Sequence, residues 1–107
     1  MIVVTTPNIF GMRVVRTLGL VRGNTIRARH IGKDVMAILR NVAGGEIHEY
    51  TKMLGEAREQ AVDRLVEEAE SLGGNAVLGL RFQTSMIQKG AAEMLCYGTA
   101  VVVEPED

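Results

Sequence analysis

The amino-acid sequence predicts a single α+β domain that covers residues 1–107. A chain of 107 residues has the length of one domain, and no internal repeat or linker divides it. Apolar residues recur at helical spacing from about residue 47 to 72, whereas apolar and polar residues alternate as in strands after Gly73-Gly74. One long helix flanked by strand-forming segments is therefore expected.

The segments at the start of the chain are expected to form short strands. Residues 1–5 predict the first strand, which the following proline ends, because a residue that precedes proline is biased away from helix. Two more strands are predicted over 12–22 and 25–28, on either side of a turn at Gly23-Asn24. Gly19 is expected to mark a bulge or a close backbone approach.

Two helices are predicted in the middle of the chain. Apolar residues at i, i+3, i+4 and i+7 indicate the first helix over 33–43. The second helix, over about 47–72, has a continuous apolar stripe opposite a glutamate-rich face, and Gly73-Gly74-Asn75 ends it. Gly55 lies inside this helix, where glycine costs about 1 kcal/mol relative to alanine, so close packing or a break is expected there.

The end of the chain is predicted to form an antiparallel hairpin. Its strands are expected over 76–84 and 93–103, with a loop over 85–92. Gly98 is expected to interrupt the second strand. The tail from Glu104 onward is expected to be solvated.

Composition excludes several classes of protein. No apolar run approaches the roughly 18 residues of a membrane span, and the N-terminus does not have the pattern of a signal peptide. The one cysteine, Cys96, excludes an intramolecular disulfide framework and a cysteine-rich zinc module. A cytoplasmic protein without membrane contact is the expectation.

The distribution of charge and of large side chains favours self-association. Residues 1–45 have seven basic side chains and one acidic one, whereas residues 46–72 have eight acidic and three basic ones. The chain has no tryptophan, so its core is modest, and its strands leave sheet edges that a neighbour can cover. A homo-oligomer with head-to-tail contacts is therefore expected.

Four segments, in order, resemble the YbjQ-like family of small uncharacterised proteins labelled heavy-metal-binding. They are Val4-Thr5-Thr6-Pro7, the helix signature from Gly44-Gly45 to Ala61, the junction Leu72–Leu80, and Gly98-Thr99-Ala100-Val101. The resemblance implies a dodecin-like subunit, with a small antiparallel sheet packed on a long helix, that assembles into a ring of five. It implies no established reaction, and the heavy-metal label is a family name that places no site on these residues. We expect a non-enzymatic protein with a heavy metal or small ligand bound at subunit interfaces.

A soft transition metal would depend on the sulfur-bearing residues. Met94 and Cys96 lie two apart in a predicted strand and therefore on one face, so they are candidate ligands to which ring symmetry could add others. Cys96 as a small core residue is the competing interpretation. His30 and His48 are interpreted as surface histidines, since no two Cys or His residues have ligand spacing.

Two other functions have less support from the residues. No nucleophile–base, metal-hydrolase or phosphate-binding motif is present, so neither catalytic nor cofactor-binding residues are predicted and an enzyme is not expected. Nucleic-acid binding by the basic segment 22–33 is the alternative function. No aromatic residue interleaves its bases (Arg22, Arg27, Arg29, His30 and Lys33), and pairing with the acidic helix explains the same charges.

Overall fold

A computed structural model describes residues 1–28, 48–88 and 91–107, which form one helix packed on a four-stranded sheet. The elements in chain order are β1 (Ile2–Val3), β2 (Met12–Ala28), α1 (His48–Ser71), β3 (Ala76–Gln88) and β4 (Ala91–Pro105). The strands are arranged in the order β1-β3-β4-β2. The predicted α+β class is therefore confirmed.

The sheet is mixed, so the prediction of an antiparallel sheet was only partly right. The central strand β4 pairs antiparallel with both β2 and β3, whereas β1 runs parallel to the start of β3. The backbone N–H of Val4 donates to the carbonyl of Val77 at 2.9 Å, and the N–H of Leu80 donates to the carbonyl of Val4 at 3.0 Å. These hydrogen bonds pair the N-terminal segment with the edge of β3. The strand β1 itself is only two residues long.

β2 is one continuous strand, and the predicted turn at Gly23-Asn24 was wrong. Both residues pair with β4, opposite Cys96 and Leu95 respectively. Gly23 is required there because α1 crosses the strand in contact with its backbone. The bulge expected at Gly19 is confirmed, since the pairing register shifts between Thr17 and Gly19.

The C-terminal hairpin is confirmed, but its strands are longer than predicted. The predicted loop over 85–92 was mostly wrong, because β3 extends to Gln88 and β4 begins at Ala91. Gly98 does not interrupt β4; it lies in the ladder, where a side chain would collide with Val77. The tail is not simply solvated either, because Glu104 belongs to β4 and forms an ion pair with Arg13.

The long helix predicted over 47–72 is confirmed as α1. It ends as expected at Gly73, which has a φ of +87°. The expectation for Gly55 was wrong: the helix continues through it, and a Cβ there would meet nothing within 4 Å. The helix predicted over 33–43 lies outside the described residues.

α1 lies over β2 and β4 and encloses the main core with them. The helix contributes mostly small residues to this core, which lets its backbone approach the sheet closely. The fully or nearly fully buried members are Val21, Ala57, Ala61, Leu65, Ala69, Val77, Leu80, Met94, Cys96 and Ala100.

The opposite side of the sheet, named here the open face, is covered by the described residues at one end only. Val4, Ile9 and Met12 pack there against a small cluster formed by Ala76, Leu78, Val101 and Val103. Farther along the strands this face exposes large apolar side chains, among them Leu20, Ile26 and Tyr97.

Candidate functional site

Met94 and Cys96 lie on the same face of β4, as predicted, and both belong to the core beneath α1. Cys96 is 0% exposed and Met94 is 2% exposed. The neighbouring strands place Gly23 opposite Cys96 and Thr25 opposite Met94. The two sulfur atoms are therefore enclosed between a helix backbone and three strands.

Two threonines lie close to Met94: Thr84 is exposed on β3, and Thr25 is buried on β2. The Thr84 hydroxyl donates a hydrogen bond to Met94 Sδ at 3.3 Å. The buried Thr25 hydroxyl donates to the carbonyl oxygen of Ala57 at 3.1 Å and so links β2 to α1. Both hydroxyl groups near Met94 thus have hydrogen-bond partners within the protein, and one of the two, that of Thr25, is in the core.

Burial raises the pKa of the Cys96 thiol, and a backbone hydrogen bond from Gly23 partly opposes the rise in pKa. The thiol is therefore protonated at neutral pH. A metal ion that binds this sulfur must displace the proton, because the thiolate is the form that ligates metals.

The donor set at this place fits a soft ion of low coordination number. Within residues 1–28, 48–88 and 91–107, no three His, Cys, Asp or Glu side chains come together as a metal site. A structural zinc site requires four ligands, so zinc does not fit these residues. One thiolate and one thioether are the ligand types that select Cu(I). His30 lies outside the described residues, and His48 is the first residue of α1.

The position of the two sulfur atoms determines whether another subunit can contribute ligands to a metal bound there. Because Cys96 and Met94 lie under α1, side chains of another subunit do not have access to their sulfur atoms. The idea that ring symmetry completes the ligand set at an interface does not suit these two residues. A site built on them belongs inside one subunit.

The open face has a groove that no motif in the sequence predicts. Its volume is about 440 Å³. The residues that line it come from three strands and from the segment after β1: Pro7, Val14, Thr17, Leu78, Gly79, Thr99 and Val101. The segment Leu18-Gly19-Leu20-Val21 next to the groove has apolar residues on both faces of β2, since Val21 belongs to the main core, Leu18 packs against that core and Leu20 is exposed on the open face. This pattern is typical of strands that are covered on both sides.

The basic segment considered for nucleic-acid binding is only partly described. Arg22 is exposed on the open face, where it lies opposite Tyr97 of β4, and Arg81 of β3 lies opposite the same tyrosine. Arg29, His30 and Lys33 lie outside the described residues. Arg81 donates hydrogen bonds to the carbonyls of Thr5 and Leu80 at 3.0 and 2.9 Å, so part of its guanidinium is engaged within the chain.

Fold and core together define a small α+β protein with a buried pair of sulfur-bearing side chains, and comparison with known proteins identifies the family. A family model described as "Putative heavy-metal-binding" matches residues 1–104. The chain therefore belongs to this family, the YbjQ family, which confirms the resemblance drawn from its motifs.

Relatives in other organisms support the same assignment. A UPF0145 protein of Methanosarcina acetivorans is 56% identical over 96% of this chain and 97% of its own length. A UPF0145 protein of Clostridioides difficile is 50% identical over 100% of this chain and 96% of its own length. None of these names specifies a reaction or a ligand.

A solved structure has the same fold. It is the crystal structure of a protein of unknown function from Pediococcus pentosaceus that belongs to the DUF74 family. The TM-score is 0.70 at 17% sequence identity, and the match covers 97% of this chain and 98% of the other. In the described part of this chain, no helix combines the length and the apolarity that crossing a membrane requires.

Proposed function

We propose that this chain is a non-enzymatic, homo-oligomeric protein that binds a soft metal ion through the Cys96 thiolate and the Met94 thioether. The observation that carries the proposal is that both side chains lie buried on one face of β4. The family description and the names of the relatives specify no reaction, and nothing in them favours the nucleic-acid alternative. A reducing compartment keeps a lone thiol free, which supports a cytoplasmic location.

The surroundings of the two sulfurs favour Cu(I) over harder ions. Soft ligands select soft ions, and the core residues that the structure describes supply no carboxylate or imidazole to attract Mg²⁺ or Zn²⁺. Met94 has three rotatable side-chain bonds, so its thioether can adjust to an ion held by Cys96. The Thr84 hydroxyl, which donates to Met94 Sδ, is the group that such an adjustment would release.

An anaerobic Cu(I) titration against a competing chelator tests the metal site. We expect one ion per chain in the wild type, loss of tight binding in Cys96→Ser, and binding weakened about tenfold or more in Met94→Leu. Met86→Leu is the matched control, because Met86 is exposed on β3 and its removal should change nothing. Circular dichroism confirms that each variant is folded.

Two results would contradict the metal site. Equally tight binding by the wild type and Cys96→Ser would show that the ion is held elsewhere. No binding by the wild type would refute the proposed metal-binding function. Native mass spectrometry of protein purified without chelator gives the bound mass and the number of chains in the same measurement.

The exposed apolar surface supports the homo-oligomer. Leu20 is 65% exposed and Ile26 is 60% exposed on the open face, where a monomer would leave them in water. An open sheet edge also supports self-association, because the described N-terminal segment pairs with β3 only as far as Leu80. A second copy can cover both features. The proposed number of copies, five, comes from the resemblance to the family.

Sedimentation at micromolar concentration tests the assembly. We expect a particle of five times the chain mass of 11.6 kDa. High salt should loosen it only modestly if apolar contacts dominate, since salt screens charges and not apolar burial. A dimer would refute the proposed ring size, and a stable monomer at all concentrations would refute self-association.

A further inference from the structure

We infer that Phe10 of one subunit binds in the open-face groove of a neighbouring subunit, so that the occupant of the groove is a second copy of this chain. The inference rests on the proposed homo-oligomer and identifies a contact that holds it together. It depends on three features of the described residues: the exposure of Phe10, the rigidity of the turn that presents it, and the shape and charge of the groove.

Phe10 is the most exposed large apolar residue among those described, at 103%. Its neighbours in the sequence do not share this exposure, since Ile9 and Met12 pack against the small cluster of the open face. An aromatic ring with this exposure in its own subunit is available for a contact between subunits. Aromatic side chains of this kind are enriched in the centres of protein interfaces.

The backbone around Phe10 is fixed by hydrogen bonds. The N–H of Met12 donates to the carbonyl of Ile9 at 3.1 Å, which closes a turn with Phe10 at its first central position. Gly11, at the second central position, has a φ of +78°, as a type II turn requires. The carbonyl of Gly11 in turn accepts a hydrogen bond from the N–H of Glu106 at 2.9 Å. The turn therefore presents the ring in a preorganised position.

The groove has the size and lining that a phenyl ring needs. Its volume of about 440 Å³ lies within the range of small-molecule clefts, so it has room for a phenyl ring together with part of the turn that bears it. Val14, Leu78 and Val101 provide apolar walls. Phe10 of the same chain does not fill this groove, because its side chain is fully exposed.

Charge also complements the contact between the two surfaces. Glu106 lines the surface beside Phe10 and Asp107 follows it in the sequence, so acidic side chains adjoin the turn that presents the ring. Near the groove, Arg22 and Arg81 lie on either side of Tyr97, two residues from Thr99 on the same face of β4. An acidic turn that approaches this end of the groove meets basic side chains, which favours this orientation over others.

Disulfide trapping tests the contact directly. Phe10→Cys protein mixed with Thr99→Cys protein should give a covalent dimer under mild oxidation, because Thr99 is an exposed residue in the groove. Glu70→Cys in place of Thr99→Cys is the matched control, since Glu70 is exposed on α1, away from the open face. Wild-type Cys96 does not compete, because it is fully buried. Cross-linking no greater with Thr99→Cys than with Glu70→Cys would overturn the inference.

A truncation separates this inference from the proposed assembly. Phe10→Ala should weaken subunit association about tenfold or more in sedimentation equilibrium, because the loss of a buried aromatic ring removes a large apolar contact. Leu72→Ala, which shortens another exposed apolar side chain, should leave association unchanged. If the wild type assembles and Phe10→Ala assembles equally well, the inference fails and the homo-oligomer stands. If the wild type is a monomer, both fail.

Discussion

Gly23 of β2 lies against the backbone of α1 at Ala61. A Cβ placed on Gly23 would lie 1.9 Å from the carbonyl oxygen of Ala61 and 2.6 Å from the backbone nitrogen of Leu65. The helix therefore contacts the strand without a side chain between them. Cys96 is the partner of Gly23 across the ladder, so this contact also closes the space above the thiol.

Gly23→Ala is expected to lower the free energy of unfolding by about 3 kcal/mol or more, because a methyl group cannot be accommodated without moving the helix backbone. Urea denaturation followed by circular dichroism measures the change. Gly55→Ala is the control: it adds the same methyl group in α1, where nothing lies within 4 Å. It should raise stability by about 1 kcal/mol through helix propensity. Equal effects of the two substitutions would contradict the close contact.

Asn75 should be important for the junction between α1 and β3. Its side chain donates to the carbonyl of Val103 at 2.9 Å and accepts from the N–H of the same residue at 2.8 Å. Asn75→Ala removes both bonds and should cost about 1–3 kcal/mol of stability, measured by thermal or urea unfolding. Asn75→Asp retains the acceptor, but it places a carboxylate beside the carbonyl of Val103. An Asp variant as stable as the wild type would show that the donated bond contributes little.

The buried thiol makes stability depend on alkaline pH. The pKa of Cys96 is raised by burial in the folded chain, whereas in the unfolded chain a thiol has an ordinary pKa of about 8.5. The contribution of the neutral thiol is therefore complete below about pH 8.5 and is lost progressively as the pH rises above that value. Urea titrations from pH 7 to 10 should show this decline in the wild type. A decline just as steep in Cys96→Ala would mean that other groups cause it.

The same pKa determines how metal affinity depends on pH. Below the pKa of Cys96, each rise of one pH unit increases the thiolate fraction about tenfold, and the proposed Cu(I) affinity should increase by the same factor between about pH 6 and 8. Competition titrations at several pH values measure the slope. An affinity independent of pH over this range would show that the thiolate is not the ligand.

Part of the fold could be predicted from the sequence because it depends on local patterns. The apolar stripe of α1 and the glycines after Ser71 located the long helix to within a residue or two at each end. The alternation after Asn75 located the hairpin, and the period of two placed Met94 and Cys96 on one face of β4. Each of these inferences uses residues that are neighbours in the chain.

The errors arose where a residue's role depends on a distant contact. Gly23-Asn24 has the composition of a turn, yet Gly23 is small because α1 crosses it. Gly55 was expected to pack closely or break the helix, and nothing adjoins it. The parallel pairing of β1 with β3 joins residues more than seventy positions apart in the sequence, for example Ile2 and Ala76, which no local pattern reveals.

The sequence by itself determined the α+β class, the long helix, the hairpin and the family, because local periodicity and ordered motifs encode them. Only the tertiary structure decided that the two sulfur-bearing residues lie beneath a helix and not at a surface, and that Phe10 is fully exposed beside an open sheet face. The physical reason is that burial depends on which elements cover a face. In this fold α1 covers one side of β2 and β4, and the described segment Val4–Met12 covers only one end of the other.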